Sequence, residues 1–218
     1  MPEPTAPVAL SDIDASLVTV GKPVEGGCAY TSFADAPTLP TDATTKMSEL
    51  TDFTSLGELT TDGVTESKSV SSTDHKGWHG TVLLTSIDDE TNTFKLSLVE
   101  VNRPAAMRLR YGDDAVTVGE DGSVSKVEAK AYQGTAHPLV IDELETNGTL
   151  RRTVVKKAVV TSFDDVSHQR GSLLAYGLTF TANTPDDGSA PIVIYRAKPA
   201  AAAAKVGTAS VGKAKVSA

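Results

Sequence analysis

The residues that could do chemistry are few and scattered along the chain. The sequence contains four histidines and one cysteine, Cys28. A lone cysteine cannot form an intrachain disulfide, and it excludes a zinc site built from several cysteines. His75 and His79 lie four residues apart, a spacing that would suit a metal site on a helix. Gly77 lies between them and no glutamate follows His75, so we interpret them as loop histidines and predict no metal and no cofactor.

The sequence also contains the residue types of a hydrolytic Ser-His-Asp triad close to one another. Asp164 and Asp165 lie near His168 and two serines, Ser162 and Ser167. A triad is defined by geometry, and Ser and Asp are so common here that this proximity is expected by chance. The sequence contains no G-x-S-x-G nucleophile elbow and no GxxxxGK[ST] or GxGxxG phosphate loop. We therefore predict no catalytic residues and no enzymatic activity.

The densest basic cluster comprises Arg151, Arg152, Lys156 and Lys157. Strict alternation along a strand would put Arg151 and Lys157 on one face and Arg152 and Lys156 on the other. No aromatic residues that could stack on nucleobases are interleaved with them. We predict that they pair with acids on a neighbouring strand or subunit. Trp78, the only tryptophan, either anchors an interface or packs in the core at the start of a strand.

The segments that carry these residues are mostly strands. Residues 94–98 and 173–182 alternate apolar residues with others, which predicts strands with one buried face. Residues 149–163 form a β-branched run without Gly or Pro, which predicts one long strand. Further strands are predicted at residues 80–87, 115–118, 125–132, 139–144 and 192–197. Turn residues separate the strands at residues 88–92, 119–122, 147–148 and 186–188.

Only residues 104–110 have a clear helical composition, with Pro104 near the start, where proline is tolerated. Residues 45–50 are a weaker helix candidate. The predicted fold class is therefore mainly β: an antiparallel β-sandwich or barrel with one or two short helices.

Composition and charge exclude several classes of protein. The chain has 218 residues, enough for one well-packed domain or two small ones. With 20 Lys and Arg against 28 Asp and Glu, its formal net charge is −8, which argues against a protein that reads nucleic-acid sequence. No apolar run approaches the roughly 20 residues of a membrane helix. The first lysine is Lys22, so a basic signal-peptide n-region is lacking, and we expect no membrane insertion.

Three parts are predicted along the chain. Residues 1–30 form an N-terminal arm, residues 31–197 form the β domain, and residues 198–218 form a tail rich in Ala and Lys. The tail contains four Lys and no acid. It is either solvated or docked on an acidic neighbour.

Residues 56–112 carry a recognisable pattern. Leu56-Gly57 is followed by Asp62-Gly63-Val64, a Ser/Glu-rich stretch from Glu66 to Ser72, and Trp78 ahead of a strand. Then come the strand TFKLSLVE and a short helix that ends at Tyr111-Gly112; LRRTVVKKAVVTSF and GSLLAYGLTFTA follow later. Over roughly residues 30–197 the chain resembles the major tail tube proteins of long-tailed bacteriophages, particularly those that infect actinobacteria.

The resemblance implies a structural virion protein made in the host cytoplasm. Six copies would form a ring, rings would stack into a hollow tail tube, and viral DNA would pass down the lumen without specific binding. Besides other copies of itself, tape-measure and tail-tip or terminator proteins are implied as partners. Two alternatives stay open: a tube or ring component of a contractile or tail-completion assembly, and a stand-alone β-sandwich binding module.

Residues 61–80 are long, polar and Ser-rich for a loop inside a compact domain, which is unusual unless the loop serves an interface. We predict that this loop reaches the adjacent ring. Its predicted contact residues are Asp62, Gly63, Val64, Glu66, Lys68 and Trp78. The predicted inter-subunit charges are Arg151, Arg152, Lys156 and Lys157.

Overall fold

The computed structural model describes residue 14, residues 17–24 and residues 27–198. The strands in this part are β1 (Gly21–Pro23), β2 (Ala29–Ser32), β3 (Phe53–Ser55), β4 (Leu59–Lys76), β5 (Val82–Leu98), β6 (Val116–Val118), β7 (Val124–Val127), β8 (Ala136–Glu145), β9 (Leu150–Phe163), β10 (Tyr176–Ala182) and β11 (Ile192–Ala197). Helix α1 spans Pro104–Tyr111, and 3-10 turns span Met47–Glu49 and Asp113–Ala115. The predicted fold class, mainly β with short helices, is confirmed.

Nine of these strands form one antiparallel sheet, in the order β3-β2-β8-β9-β10-β5-β4, with β1 added to β8 and β11 added to β9. The central strand is β9: its first half pairs with β11 and its second half with β10, while β8 runs along its other edge. Strands β6 and β7 form a separate two-stranded sheet. None of the helices described here is long and apolar enough to span a membrane.

The core consists of two clusters on opposite faces of β8 and β9. Leu139 and Val155 belong to the main cluster, which also contains Leu109 of α1. Their neighbours in sequence belong to the second cluster: Val140, which follows Leu139, and Val154, which precedes Val155. Consecutive side chains of a strand point to opposite faces, so a strand that is apolar at successive positions is buried on both sides.

Alternation in β5 and β10 predicted their shared buried face correctly. Phe94 pairs across the sheet with Phe180, and Leu96 pairs with Leu178. All four side chains are almost completely buried. Cross-strand aromatic and aliphatic pairs of this kind stabilise the sheet as well as the core.

The turn predicted at Asn147-Gly148 is present between β8 and β9, but it is not a two-residue turn with two positive φ values. The Glu145 N–H donates to the Thr149 carbonyl, and the Gly148 N–H donates to the Glu145 carbonyl, each at 2.8 Å. Only Gly148 has a positive φ, of 80°. This three-residue loop needs a single left-handed residue.

Two predictions about residues 61–92 are wrong. The polar segment 61–80 is not an irregular loop, because β4 extends to Lys76 and the turn begins only at Gly77. The turn predicted at residues 88–92 lies inside β5. A β-bulge occurs there instead: Ser71 pairs with Asp89 and Ser72 pairs with Ile87, which leaves Asp88 as the extra residue. Asp88, a residue type that is common in turns, thus occupies a bulge, where regular pairing is interrupted.

The predicted N-terminal arm is partly in the sheet. Strand β1 and the start of β2 fall within residues 1–30, and both pair with β8. Residues 1–13, 15–16 and 25–26 of the arm, and residues 199–218 of the tail, lie outside the described residues. The division of the chain into three parts therefore stays a prediction.

Candidate assembly interface

The hairpin formed by β4 and β5 leaves the body of the protein. At its base, Leu96 and Phe94 are buried in the main cluster, where they pair with Val64 and Glu66 of β4. Beyond Ser67 nearly every residue of β4 is exposed, and so is most of β5 before Glu90. From Val64 to Lys76 the strand runs about 40 Å at the usual rise per residue.

Large apolar side chains are exposed along this hairpin. Trp78, in the turn between the two strands, is 99% exposed, and Leu83 is 74% exposed. We call the exposed apolar residues nearest the turn the tip patch: Trp78, Val82, Leu83, Leu84 and Ile87. The core interpretation of Trp78 is therefore wrong. Exposed apolar side chains on both faces of a hairpin are typical of an element that another protein covers.

Side-chain contacts join the two strands of the hairpin along its length. Lys68 forms an ion pair with Glu90 at 2.7 Å. Nearer the turn, Thr85 donates to Asp74 at 2.7 Å, and His75 Nε2 lies 3.0 Å from the Ser86 hydroxyl. These contacts hold the exposed strands in register, so the hairpin presents its tip on an ordered support.

The structure separates the six residues that were predicted to form the contact. Asp62, Gly63, Val64, Glu66 and Lys68 lie at or near the base of the hairpin, whereas Trp78 lies at its tip. Asp62 and Gly63 belong to a large bulge, because Leu59 pairs with Leu98 and the next paired residue, Val64, pairs with Leu96. Gly63 has a φ of 65°, which favours glycine at that point.

A groove of about 390 Å³ opens beside this bulge, and we call it the base groove. It is formed by β1, by residues 58–64, and by Ile141 and Glu143 of β8. Sequence reasoning missed it, because its walls come from three segments that are distant along the chain. The one signal in the sequence is Gly63, because a glycine within a polar run is compatible with an irregular backbone.

The basic cluster is paired within the subunit. Arg152, only 3% exposed, donates to both carboxylate oxygens of Asp142 at 2.7 Å and to the Asp42 carbonyl at 3.0 Å. Arg151 lies 3.1 Å from Glu143 and 3.5 Å from Glu66. Pairing with acids on a neighbouring strand is therefore confirmed for both arginines. Contacts to a neighbouring subunit stay a prediction.

Lys156 and Lys157 depart from strict alternation. Lys156 donates to Ser189 at 2.8 Å and Lys157 donates to Asp186 at 2.6 Å, so both reach the loop between β10 and β11. The register of β8 and β9 shifts here, because His137 pairs with Ala158 and Leu139 pairs with Val155. Pro138, which has no N–H to donate, lies at the shift. The extra residue on β9 brings the two lysines to the same loop.

The chemistry-bearing residues of the sequence have other partners in the structure. Asp164 forms an ion pair with Lys95 at 2.8 Å. His137, between Asp113 at 3.2 Å and the Ser32 carbonyl at 3.1 Å, is mostly buried. Burial, and secondarily the nearby Glu58 carboxylate, raises the pKa of the Cys28 thiol to about 11. Among the described residues, no three or more His, Cys, Asp or Glu side chains are grouped to hold a metal ion.

A mainly β subunit with a projecting, apolar-tipped hairpin has the features of a structural protein that packs against other subunits. Comparison with known families agrees: the chain belongs to the phage tail tube protein family, whose profile matches residues 27–207. It is therefore a structural component of a phage tail and of the virion, and it self-assembles into a tube. A search of curated proteins finds no match.

Proposed function

We propose that six copies of this chain form a ring and that the rings stack into a hollow tube through which viral DNA is ejected. The observation that carries this proposal is the β4–β5 hairpin, which exposes Trp78 and the rest of the tip patch far from the body. Such a surface is costly in a free monomer and is stabilised when another subunit covers it. The hairpin contacts the adjacent ring.

The protein acts by structure and not by catalysis. Its formal charge of −8 gives a tube an acidic character. An acidic lumen repels the phosphate backbone, so DNA slides through without specific binding. Tape-measure, tail-tip and terminator proteins act on the tube's length and ends, and the chain is made in the host cytoplasm. The likeness to phages of actinobacteria stays a prediction.

The test is negative-stain electron microscopy of the purified protein over a range of protein concentrations. Hollow tubes of stacked rings with six-fold end views would support the proposal. Single rings that never stack would instead favour a ring component of a tail-completion assembly. Chains that remain monomeric at high concentration, and beside an isolated tail-tip complex, would overturn the proposal in favour of a binding module.

A further inference from the structure

The base groove has an apolar floor and an acidic rim. Pro23, Leu59, Val64 and Ile141 line it, and Leu59 and Ile141 are themselves part of the buried core. The groove is therefore continuous with a packed interior. A bulky apolar side chain that entered it would gain contacts on several sides.

Three carboxylates lie around this groove: Glu58, Asp62 and Glu143. Glu143 pairs with Arg151 at 3.1 Å, but within the described part of the chain no cation lies in ion-pair range of Glu58 or Asp62. Lys22 is the one cation among the lining residues. The groove is acidic on balance and retains unneutralised carboxylates at its rim.

The hairpin tip has the opposite chemistry. Residues 75–82 contain His75, Lys76 and His79 and no acid. In the described part of the chain, Lys76 has no carboxylate in ion-pair range. Trp78, at 99% exposure, is the most prominent apolar group of the tip. The tip is thus an apolar knob with one lysine that lacks a carboxylate partner, and Asp74, which accepts a hydrogen bond from Thr85, lies just before it.

We infer that the hairpin tip of one copy inserts Trp78 into the base groove of a neighbouring copy, with Lys76 facing the carboxylates of Glu58 and Asp62. This inference rests on the proposed function and names the contact that joins the subunits. Asp62 at the base of the hairpin and Trp78 at its tip are far apart within one chain. In this contact, the tip of one copy meets the base of another. Opposite charges at the rim orient the tip, and the apolar floor provides most of the affinity.

The contact joins two different surfaces of identical chains. A head-to-tail interface repeats from copy to copy, so it closes into a ring or continues along a filament. Unless two copies exchange tips reciprocally, each contact leaves one tip and one groove free to bind further copies. The tip lies about 40 Å from the base along β4, so each hairpin spans that distance to its neighbour. A knob and an acidic groove on the same chain are the two halves that such an interface requires.

Trp78 is the only tryptophan, so its fluorescence reports directly on the contact. On assembly of the full chain we expect its emission to shift to the blue as the indole leaves water. We expect Trp78→Ala to raise the protein concentration needed for assembly about thirtyfold or more, as loss of a central aromatic anchor does. The control is Leu173→Ala, at an apolar residue outside the hairpin that is also largely exposed (81%), which should change nothing.

A charge exchange tests the pairing itself. Asp62→Lys and Lys76→Glu, each alone, should weaken assembly, and the double variant should recover most of the loss. A cysteine pair, Thr61→Cys with His79→Cys, should give an oxidised ladder of covalent oligomers, whereas each single variant should give none. Because Cys28 is one of the residues that line the base groove, all cysteine variants also carry Cys28→Ser, which leaves the introduced cysteines as the only thiols.

The outcomes separate this inference from the proposed function. Tubes whose Trp78 emission remains that of an exposed indole, with no ladder from the double cysteine variant, would overturn the tip-to-groove contact and leave the tube proposal standing. A full chain that forms no assembly at any concentration or beside a tail-tip complex would overturn both. If removal of residues 1–16 abolished assembly but Trp78→Ala did not, the tip-to-groove contact would be overturned.

Discussion

At the scale of single residues, the buried charges fix where β8 and β9 sit. Arg152 and Asp142 are directly opposite each other in the register of the two strands. Their ion pair lies under the segment that contains Asp42, whose carbonyl accepts a hydrogen bond from Arg152. Two ions removed from water are tolerated only because each satisfies the other with good geometry. Loss of either partner therefore exposes the cost of burying the one that remains.

We expect Arg152→Met to lower the free energy of unfolding by about 3–5 kcal/mol, because Asp142 would be left buried and unpaired. The double variant Arg152→Met/Asp142→Leu should recover much of that loss. Lys157→Ala is the control, since its partner Asp186 is 93% exposed and such surface pairs contribute about 1 kcal/mol or less. Urea unfolding measures all three; equal losses for Arg152→Met and Lys157→Ala would contradict the assignment.

Cys28 gives a second prediction at this scale. Burial, and secondarily the Glu58 carboxylate, raises the pKa of its thiol from 9.0 to about 11. At pH 8 the thiolate fraction in the folded protein should be about 100-fold lower than in the unfolded chain, and only the thiolate is nucleophilic. Alkylation by iodoacetamide should therefore be at least that much slower in buffer than in guanidinium chloride.

The same raised pKa makes a contribution to stability that has a defined sign. The fold favours the neutral thiol, so the contribution is fully present below pH 9 and is lost as pH rises towards 11. Cys28→Ser should remove that pH dependence. Alkylation at similar rates in the folded and unfolded chains would show that the thiol is accessible and contradict the prediction.

At the scale of elements, the sequence predicted β9, β10 and β11 but missed the short strands β1, β2 and β3 and the exposed part of β4. Strand β11 was predicted with its observed bounds, and β9 was predicted to within a residue, because β-branched and alternating residues report burial. The distal part of β4 is exposed on both sides, so it shows no alternation and reads as a polar loop. Its strand geometry comes from pairing with β5, which local sequence does not encode.

We expect the hairpin to be dispensable for folding and essential for assembly. Lys68 and Asn92 face each other in the register, so residues 69–91 can be replaced by Asn-Gly, which suits a two-residue turn. Because the removed side chains are largely exposed, the free energy of unfolding should change by about 1 kcal/mol or less. Electron microscopy of this variant should show no tubes.

A shorter trim separates the tip from the rest of the hairpin. Joining Ser72 to its partner Ile87 through Asn-Gly removes residues 73–86, including Trp78, but keeps Val70 and the Lys68–Glu90 ion pair. If the tip makes the contact, this variant should fail to assemble as completely as the longer trim. Normal tubes from the longer trim would show that the hairpin has no part in assembly.

At the scale of the whole molecule, the sequence could indicate the residues of the candidate interface but not their arrangement. It placed Asp62 and Trp78 in one segment as contact residues, and the structure puts them at opposite ends of a long hairpin. The base groove could not be predicted from the sequence, because it forms only where β1, the bulge before Val64 and β8 come together in the fold. The pairing of Arg151 and Arg152 with acids was predictable from charge, whereas the register shift that unites Lys156 and Lys157 was not.

Net charge governs how readily these subunits come together. Each chain carries −8, so the approach of any two copies is opposed by repulsion that acts over the Debye length. That length falls from about 30 Å at 10 mM salt to about 8 Å at 150 mM. We expect the protein concentration needed for assembly to fall severalfold over this range, as measured by sedimentation. The few opposite charges at an exposed rim contribute about 1 kcal/mol or less and should not reverse this trend.

Tetramethylammonium chloride in place of sodium chloride is the control, because an effect of ionic strength should not depend on the cation. The variant Asp62→Lys makes the net charge of the chain less negative, which by itself would reduce repulsion between copies. At 150 mM salt that repulsion is screened, so we expect Asp62→Lys to weaken assembly because it removes the local contact at the groove. A concentration for assembly that rises with salt would mean that complementary charges outweigh the net repulsion, and the interface would then have to be far more polar than the tip patch indicates.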